Sequence, residues 1–147
     1  EYTRPARMMV NGKLVTKPAL SDIEILSFNN NIKLEAFNTD GLRSLLQTMS
    51  HVKNMSEKTL RFPGHAKLIK EYIKEDILQD EETIEYLFSE WKLEKDEPEF
   101  TILKVKIETD EKTISYELFD EFDKTNDVFK SLYFPKTLVS TLSSFPV

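Results

Sequence analysis

The sequence has no cysteine, only three glycines and six prolines in 147 residues, and each shortage excludes something. Without cysteine there is no disulfide frame, no thiol nucleophile and no Cys-based zinc site, a usage that suits a reducing cytoplasm. Gly12, Gly41 and Gly64 stand far apart. No glycine-rich loop exists to cradle a phosphate, so the chain by itself should hold neither a dinucleotide nor ATP. Hydrophobic runs are short: none approaches the ~20 residues of a membrane span, and no basic segment leads into an apolar one. Positive charge is also in deficit, with 20 Lys and Arg against 26 Asp and Glu for a net charge of −6. That is the wrong sign for a phosphate backbone. Neither nucleic acid nor a membrane is an expected partner.

What remains is a globular composition. Ten Phe, five Tyr and a hydrophobic fraction of 39% supply a core. A chain of this size buries roughly 70% of its unfolded surface as one domain, here residues 1–147. No repeat and no Pro- or Gly-rich linker divides it. The chain opens on Glu1 rather than Met, which points to processing or to a piece of something longer.

Asn11-Gly12 lies between Met8-Met9-Val10 and Leu14-Val15, a hairpin signal because both residues tolerate the positive φ of a type I′ turn. Ile23, Ile25 and Phe28, then Ile32, Leu34 and Ala36, predict two more strands joined through Asn29-Asn30-Asn31. Thr39 or Asp40 then caps a helix over about 41–49, striped by Leu42, Leu45, Leu46 and Met49. The stretch from Met55 to Phe62 is extended, and Pro63 suits the first turn of a helix carrying Leu68, Ile69, Tyr72, Ile73 and Ile77 on one side. Asp80 is an N-cap with Glu81 and Glu82 in the first turn, ahead of Ile84, Leu87, Phe88 and Trp91. These aromatic stripes, Trp91 included, are expected in the core. Glu94 to Glu99 predicts an acidic loop, 102–109 and 113–122 a hairpin, and 138–142 a short amphipathic segment. The fold class that follows is α+β: a mixed, largely antiparallel sheet with helices packed on one face.

Two segments break the core pattern with dense polar chemistry. In Leu34-Glu35-Ala36-Phe37-Asn38-Thr39-Asp40-Gly41-Leu42-Arg43 a strand ends and a helix opens. Free N–H groups at the helix start, with Asn38 and Thr39 as neutral donors, would cradle a carboxylate. The competing reading is a routine Asx turn and N-cap. In Lys58-Thr59-Leu60-Arg61-Phe62-Pro63-Gly64-His65 the Arg61 guanidinium stands at a strand end, placed to clamp a carboxylate or, alternatively, to join a surface ion pair. His65 is a candidate general base, against a capping or solvent-facing role. His51 follows a helix end and has less to recommend it. Glu117, Asp120, Glu121 and Asp123 cluster, but alternation along a strand sets Glu117 and Glu121 against Asp120. No His/Glu spacing suits a catalytic metal, so none is expected.

These two segments, about fifteen residues apart, resemble the saccharopine dehydrogenase family, especially its bacterial lysine-dehydrogenase-like branch. Val10-Asn11-Gly12, Pro18-Ala19-Leu20-Ser21-Asp22 and Phe88-Ser89-Glu90-Trp91-Lys92-Leu93 add to the likeness, which covers about residues 5 to 123. The resemblance implies a two-part NAD(P)-dependent oxidoreductase of lysine metabolism, dimeric and cytoplasmic. An N-terminal Rossmann domain, absent from this chain, would bind NAD or NADP, and a C-terminal α+β domain like this one would shape the pocket and the dimer contact. It also implies that Asn38, Thr39 and Asp40 form the substrate-side turn and that Arg61 binds a carboxylate of a small amino-acid substrate. The chain departs from the family where a Ser-Met-Ala-Arg-Thr-Thr-Gly-like stretch is usual. Here Lys130-Ser131-Leu132-Tyr133-Phe134-Pro135-Lys136 has neither Arg nor Gly. A non-catalytic binding or assembly domain that keeps the fold without the pocket is the alternative.

Overall fold

In the computed structural model, residues 2–28, 31–91 and 100–121 are described. The chain divides into two compact units, Glu1–Trp91 and Lys92–Val147, where composition and the lack of a linker suggest one. The class is α+β, with every strand pairing among the described residues antiparallel.

The first unit opens with a hairpin of β1 (Ala6–Val10) and β2 (Lys13–Lys17). It turns on Asn11 and Gly12, whose φ values of 50° and 75° are those a type I′ turn requires. Next comes a three-stranded sheet ordered β3 (Glu24–Ser27), β4 (Lys33–Asn38), β5 (Lys58–Arg61). Between β4 and β5 lies the four-residue helix α1 (Leu45–Thr48). After β5 come α2 (His65–Lys74), a 3-10 turn at Ile77–Gln79 and α3 (Glu81–Glu90). The second unit contains a hairpin of β6 (Phe100–Glu108) and β7 (Thr113–Glu121). Among the described residues the strands form three small antiparallel sheets. β4 is central because it is buried almost throughout, and Phe37 joins Leu20, Ala66 and Ile69 in the core of the first unit. Ala66 and Ile69 are the buried positions of α2, one helical turn apart.

Three expectations need correction. The helix over 41–49 is reduced to Leu45–Thr48 because Arg43 takes a left-handed φ of 36°, which stops a helix from running through it. Of the stripe on α3 only Leu87 is buried; Phe88 is 67% exposed and Trp91 46%. On α2, Leu68 and Ile73 are likewise exposed at the margin of the stripe. The Asp80 cap stands as read: its carboxylate accepts from the Thr83 backbone N–H at 2.9 Å. The segments 94–99, 130–136 and 138–142, with Asp123, lie outside the described residues.

Candidate functional site

The register of β4 against β5 sets the geometry. Glu35 faces Arg61, and Asn38 faces Lys58. Arg61 therefore sits three residues along β4 from Asn38, roughly 10 Å at ~3.3 Å per residue, and side-chain alternation puts the two on opposite faces. The Asn38–Asp40 turn and Arg61 occupy opposite ends of this ladder and do not converge on one anion.

Each side chain of the turn is held within the protein. Asn38 is 1% exposed and donates through Nδ2 to Ser21 Oγ at 3.0 Å and to Asp22 Oδ2 at 2.9 Å. It pins a loop in which Leu20 and Asp22 take φ of 58° and 50°, a conformation that costs non-glycine residues about 1–2 kcal/mol each. Thr39 is equally buried and donates its hydroxyl proton to Glu57 Oε2 at 2.8 Å. With that proton committed, Thr59 is the donor in the 2.7 Å contact between the two threonine hydroxyls. Asp40 accepts a fork from Arg7, Nε and Nη2 each at 2.8 Å. That pairing holds the Asp40 carboxyl below the usual carboxylate range.

The amides at Gly41, expected to cradle an anion, and those at the start of α2 already carry an internal carboxylate. Glu57 Oε2 accepts from the Gly41 N–H at 3.1 Å. At the start of α2, Glu35 is only 5% exposed, and its two oxygens accept from the Gly64 N–H at 2.9 Å and from the Ala66 N–H. A carboxylate at a helix N-terminus is favoured by the orphan amides and by the dipole, so this is a side-chain cap supplied from a neighbouring strand. Glu35 has no role in the sequence reading. Its signal was present: a lone acid inside the apolar run Leu34-Glu35-Ala36-Phe37, on a strand buried on both faces.

Arg61 and His65 do come together, through a residue the sequence does not flag. The Tyr2 hydroxyl lies 3.0 Å from Arg61 Nε and 3.2 Å from His65 Nε2. Arg61 is exposed, donates also from Nη1 to the Leu60 carbonyl at 2.7 Å, and has no carboxylate partner among the described residues. His65 is half-buried, stacked on Phe37 at 6.4 Å and 7°, with the rings of Tyr2 at 5.4 Å and Trp91 at 5.8 Å. Burial, with the Arg61 charge next, lowers the His65 pKa below the ordinary imidazole value, while Glu35 opposes the shift. The imidazole is thereby kept neutral at pH 7, the state in which it can take up a proton.

Tyr2 also borders an open cleft of about 560 Å³, whose walls include Lys17, Leu20, Lys70 and Ile73. Arg61 and His65 do not line that cleft, and Tyr2 is what it shares with the titratable pair. Among the described residues no three of His, Asp and Glu gather as metal ligands. Glu117 faces Lys104, with Nζ 3.6 Å from its carboxylate. Among the described residues no parallel βαβ unit occurs. Among the described residues no helix is long and apolar enough to cross a membrane. Compared with models of known protein families, the sequence matches none.

Proposed function

We propose that this chain is the substrate-binding and dimerisation domain of an NAD(P)-dependent oxidoreductase of the saccharopine or lysine dehydrogenase type, working on amino acids in the cytoplasm. The nucleotide belongs to a Rossmann domain outside the chain. Arg61 carries this reading. Of the five N–H donors of a guanidinium, Tyr2 and the Leu60 carbonyl engage two among the described residues, and the other three can serve a ligand. With no acid paired to it among the described residues, the cation can clamp a substrate carboxylate. His65, neutral and linked to Arg61 through Tyr2, is the candidate proton acceptor. Asn38, Thr39 and Asp40 support the site by fixing the loops around β4 and β5, and the two filled amide arrays contribute no charge to the ligand.

The test joins this chain to its nucleotide-binding half and replaces Arg61 with Ala. Loss of a charge-assisted clamp removes about 1.5–3 kcal/mol of binding, which raises KM for the amino acid about 10- to 150-fold. An unchanged KM removes Arg61 from the site. The occupied amide arrays and the internal hydrogen bonds of Asn38, Thr39 and Asp40 favour a second reading, a non-catalytic binding or assembly domain. Thermal unfolding of the joined protein with lysine, saccharopine or glutamate separates the two. A ligand at 100 times its Kd stabilises by about 2.7 kcal/mol, and silence with all three supports assembly alone.

A further inference from the structure

Tyr2 lies 59 residues from Arg61 and 63 from His65 in sequence, yet its single hydroxyl touches both. We propose that Tyr2 is the positioning residue of this site: its oxygen accepts from Arg61 Nε–H, its proton goes to His65 Nε2, and His65 is thereby fixed as the neutral tautomer protonated on Nδ1. A positioning role for substrate rests on the amino-acid reading above, but the hydrogen-bond chain does not.

Proton counting gives the direction. A guanidinium never surrenders its proton at accessible pH, so Arg61 Nε can only donate. The phenol has one proton, and among the described residues His65 Nε2 is the acceptor within reach. The reverse arrangement, Nε2–H aimed at the tyrosine oxygen, would put two donors on that oxygen and leave the phenol proton without an acceptor. Among the described residues the charged groups facing His65 are Arg61 from β5 and Glu35 from β4, while Trp91, just past the end of α3, presents an uncharged ring. Protonating His65 converts Nε2 into a donor and breaks the chain at its last link. Tyr2 therefore opposes the imidazolium, in the same direction as burial and the Arg61 charge.

The chain contains two histidines, so a ¹⁵N-labelled sample of the full chain gives two imidazole patterns, with His51 as the internal reference. In two-bond ¹H–¹⁵N spectra, His65 should show a bare Nε2 and a protonated Nδ1, and should titrate below the ordinary imidazole value. Tyr2→Phe keeps the ring edges at Phe37 and His65 while removing the hydroxyl. It is expected to move His65 toward the Nε2–H form that imidazole favours in water and to raise its midpoint. Arg61→Met also raises the midpoint, by removing a neighbouring positive charge, but leaves the Nδ1–H tautomer in place. A purely structural tyrosine would not move the tautomer. An unchanged tautomer in Tyr2→Phe, or a tautomer that switches in Arg61→Met alone, overturns the proposal. These spectra need no ligand. If glutamate titrated into the same Arg61→Met sample binds as in the parent, the amino-acid reading fails while the tautomer result stands.

Discussion

Glu35→Gln is the most direct measure of how the start of α2 is built. Both Glu35 oxygens accept, one from the Gly64 N–H and one from the Ala66 N–H, at a position 5% exposed to solvent. Glutamine fits the same space but offers one oxygen and an NH₂, so one helix amide faces another donor and is left unsatisfied. The remaining bond also loses its charge assistance and its favourable interaction with the helix dipole. One lost charge-assisted bond and one stranded buried amide together cost about 2–4 kcal/mol. In a unit of this size 1 kcal/mol moves Tm by about 4–8 °C, so the midpoint should fall by at least about 8 °C. Urea unfolding followed by the single tryptophan, Trp91, which rests against the His65 ring, reports on this unit directly. An unchanged slope with a lower midpoint is the expected pattern. A variant within about 0.5 kcal/mol of the parent would mean that water satisfies these amides as well as Glu35 does, and the cap would carry no stability.

Gly64→Ala tests the turn beside that cap: a Cβ there meets nothing within 4 Å, but φ is +100°, so the substitution should cost about 1–2 kcal/mol from backbone conformation alone. Urea midpoints equal to the parent would refute it. Acid should weaken the first unit in two stages. His65 titrates below its ordinary value when folded, so the unfolded chain binds the extra proton first and stability declines as pH drops through about 6.5. The carboxyls of Asp22 beside Lys17, Asp40 beside Arg7 and Asp80 beside Thr83 are all held low. Their contribution is complete above the unfolded value near 3.9 and is lost as pH falls toward their folded values. Urea midpoints from pH 7.5 to 3 should show both declines; Asp40→Asn should soften the lower one, and a flat profile would contradict the assignment.

Local chemistry was readable and tertiary pairing was not. Asn11-Gly12 and Asp80 act within four residues of themselves, through φ preference and a side-chain cap, so a short window contains the whole interaction. The helix over 41–49 failed because its leucine stripe is real but Arg43 sits in the left-handed region, a constraint tied to neighbours rather than to periodicity. Leu42 is buried without being helical. Trp91 and Phe88 were assigned to the core by spacing, yet a single short helix can bury only one stripe, and Leu87 takes it. The site divides in the same way. Arg61 and His65 were visible as polar residues at a strand end and helix start, whereas Tyr2 is an isolated aromatic whose partners lie 59 and 63 residues away.

Alternation along β4 explains why, among the described residues, Arg61 is the cation of the candidate site without a carboxylate partner. Glu35 and Phe37 point to one face and Ala36 and Asn38 to the other. One face thus receives the cap of α2 and the ring on which His65 stacks, while the other receives the pin for the loop at Ser21 and Asp22. Because Glu35 already satisfies the helix amides, α2 has no N-terminal charge left for a ligand, and electrostatic attraction at this end of the sheet falls to Arg61. A guanidinium suits that position for a geometric reason. Its Nε holds the Tyr2 hydroxyl and its Nη1 the Leu60 carbonyl, and the N–H donors that remain lie in the same plane, where the proposed carboxylate would meet them. An ammonium on a flexible stem would have to divide three tetrahedral donors between the tyrosine and the ligand, and could not keep the fork.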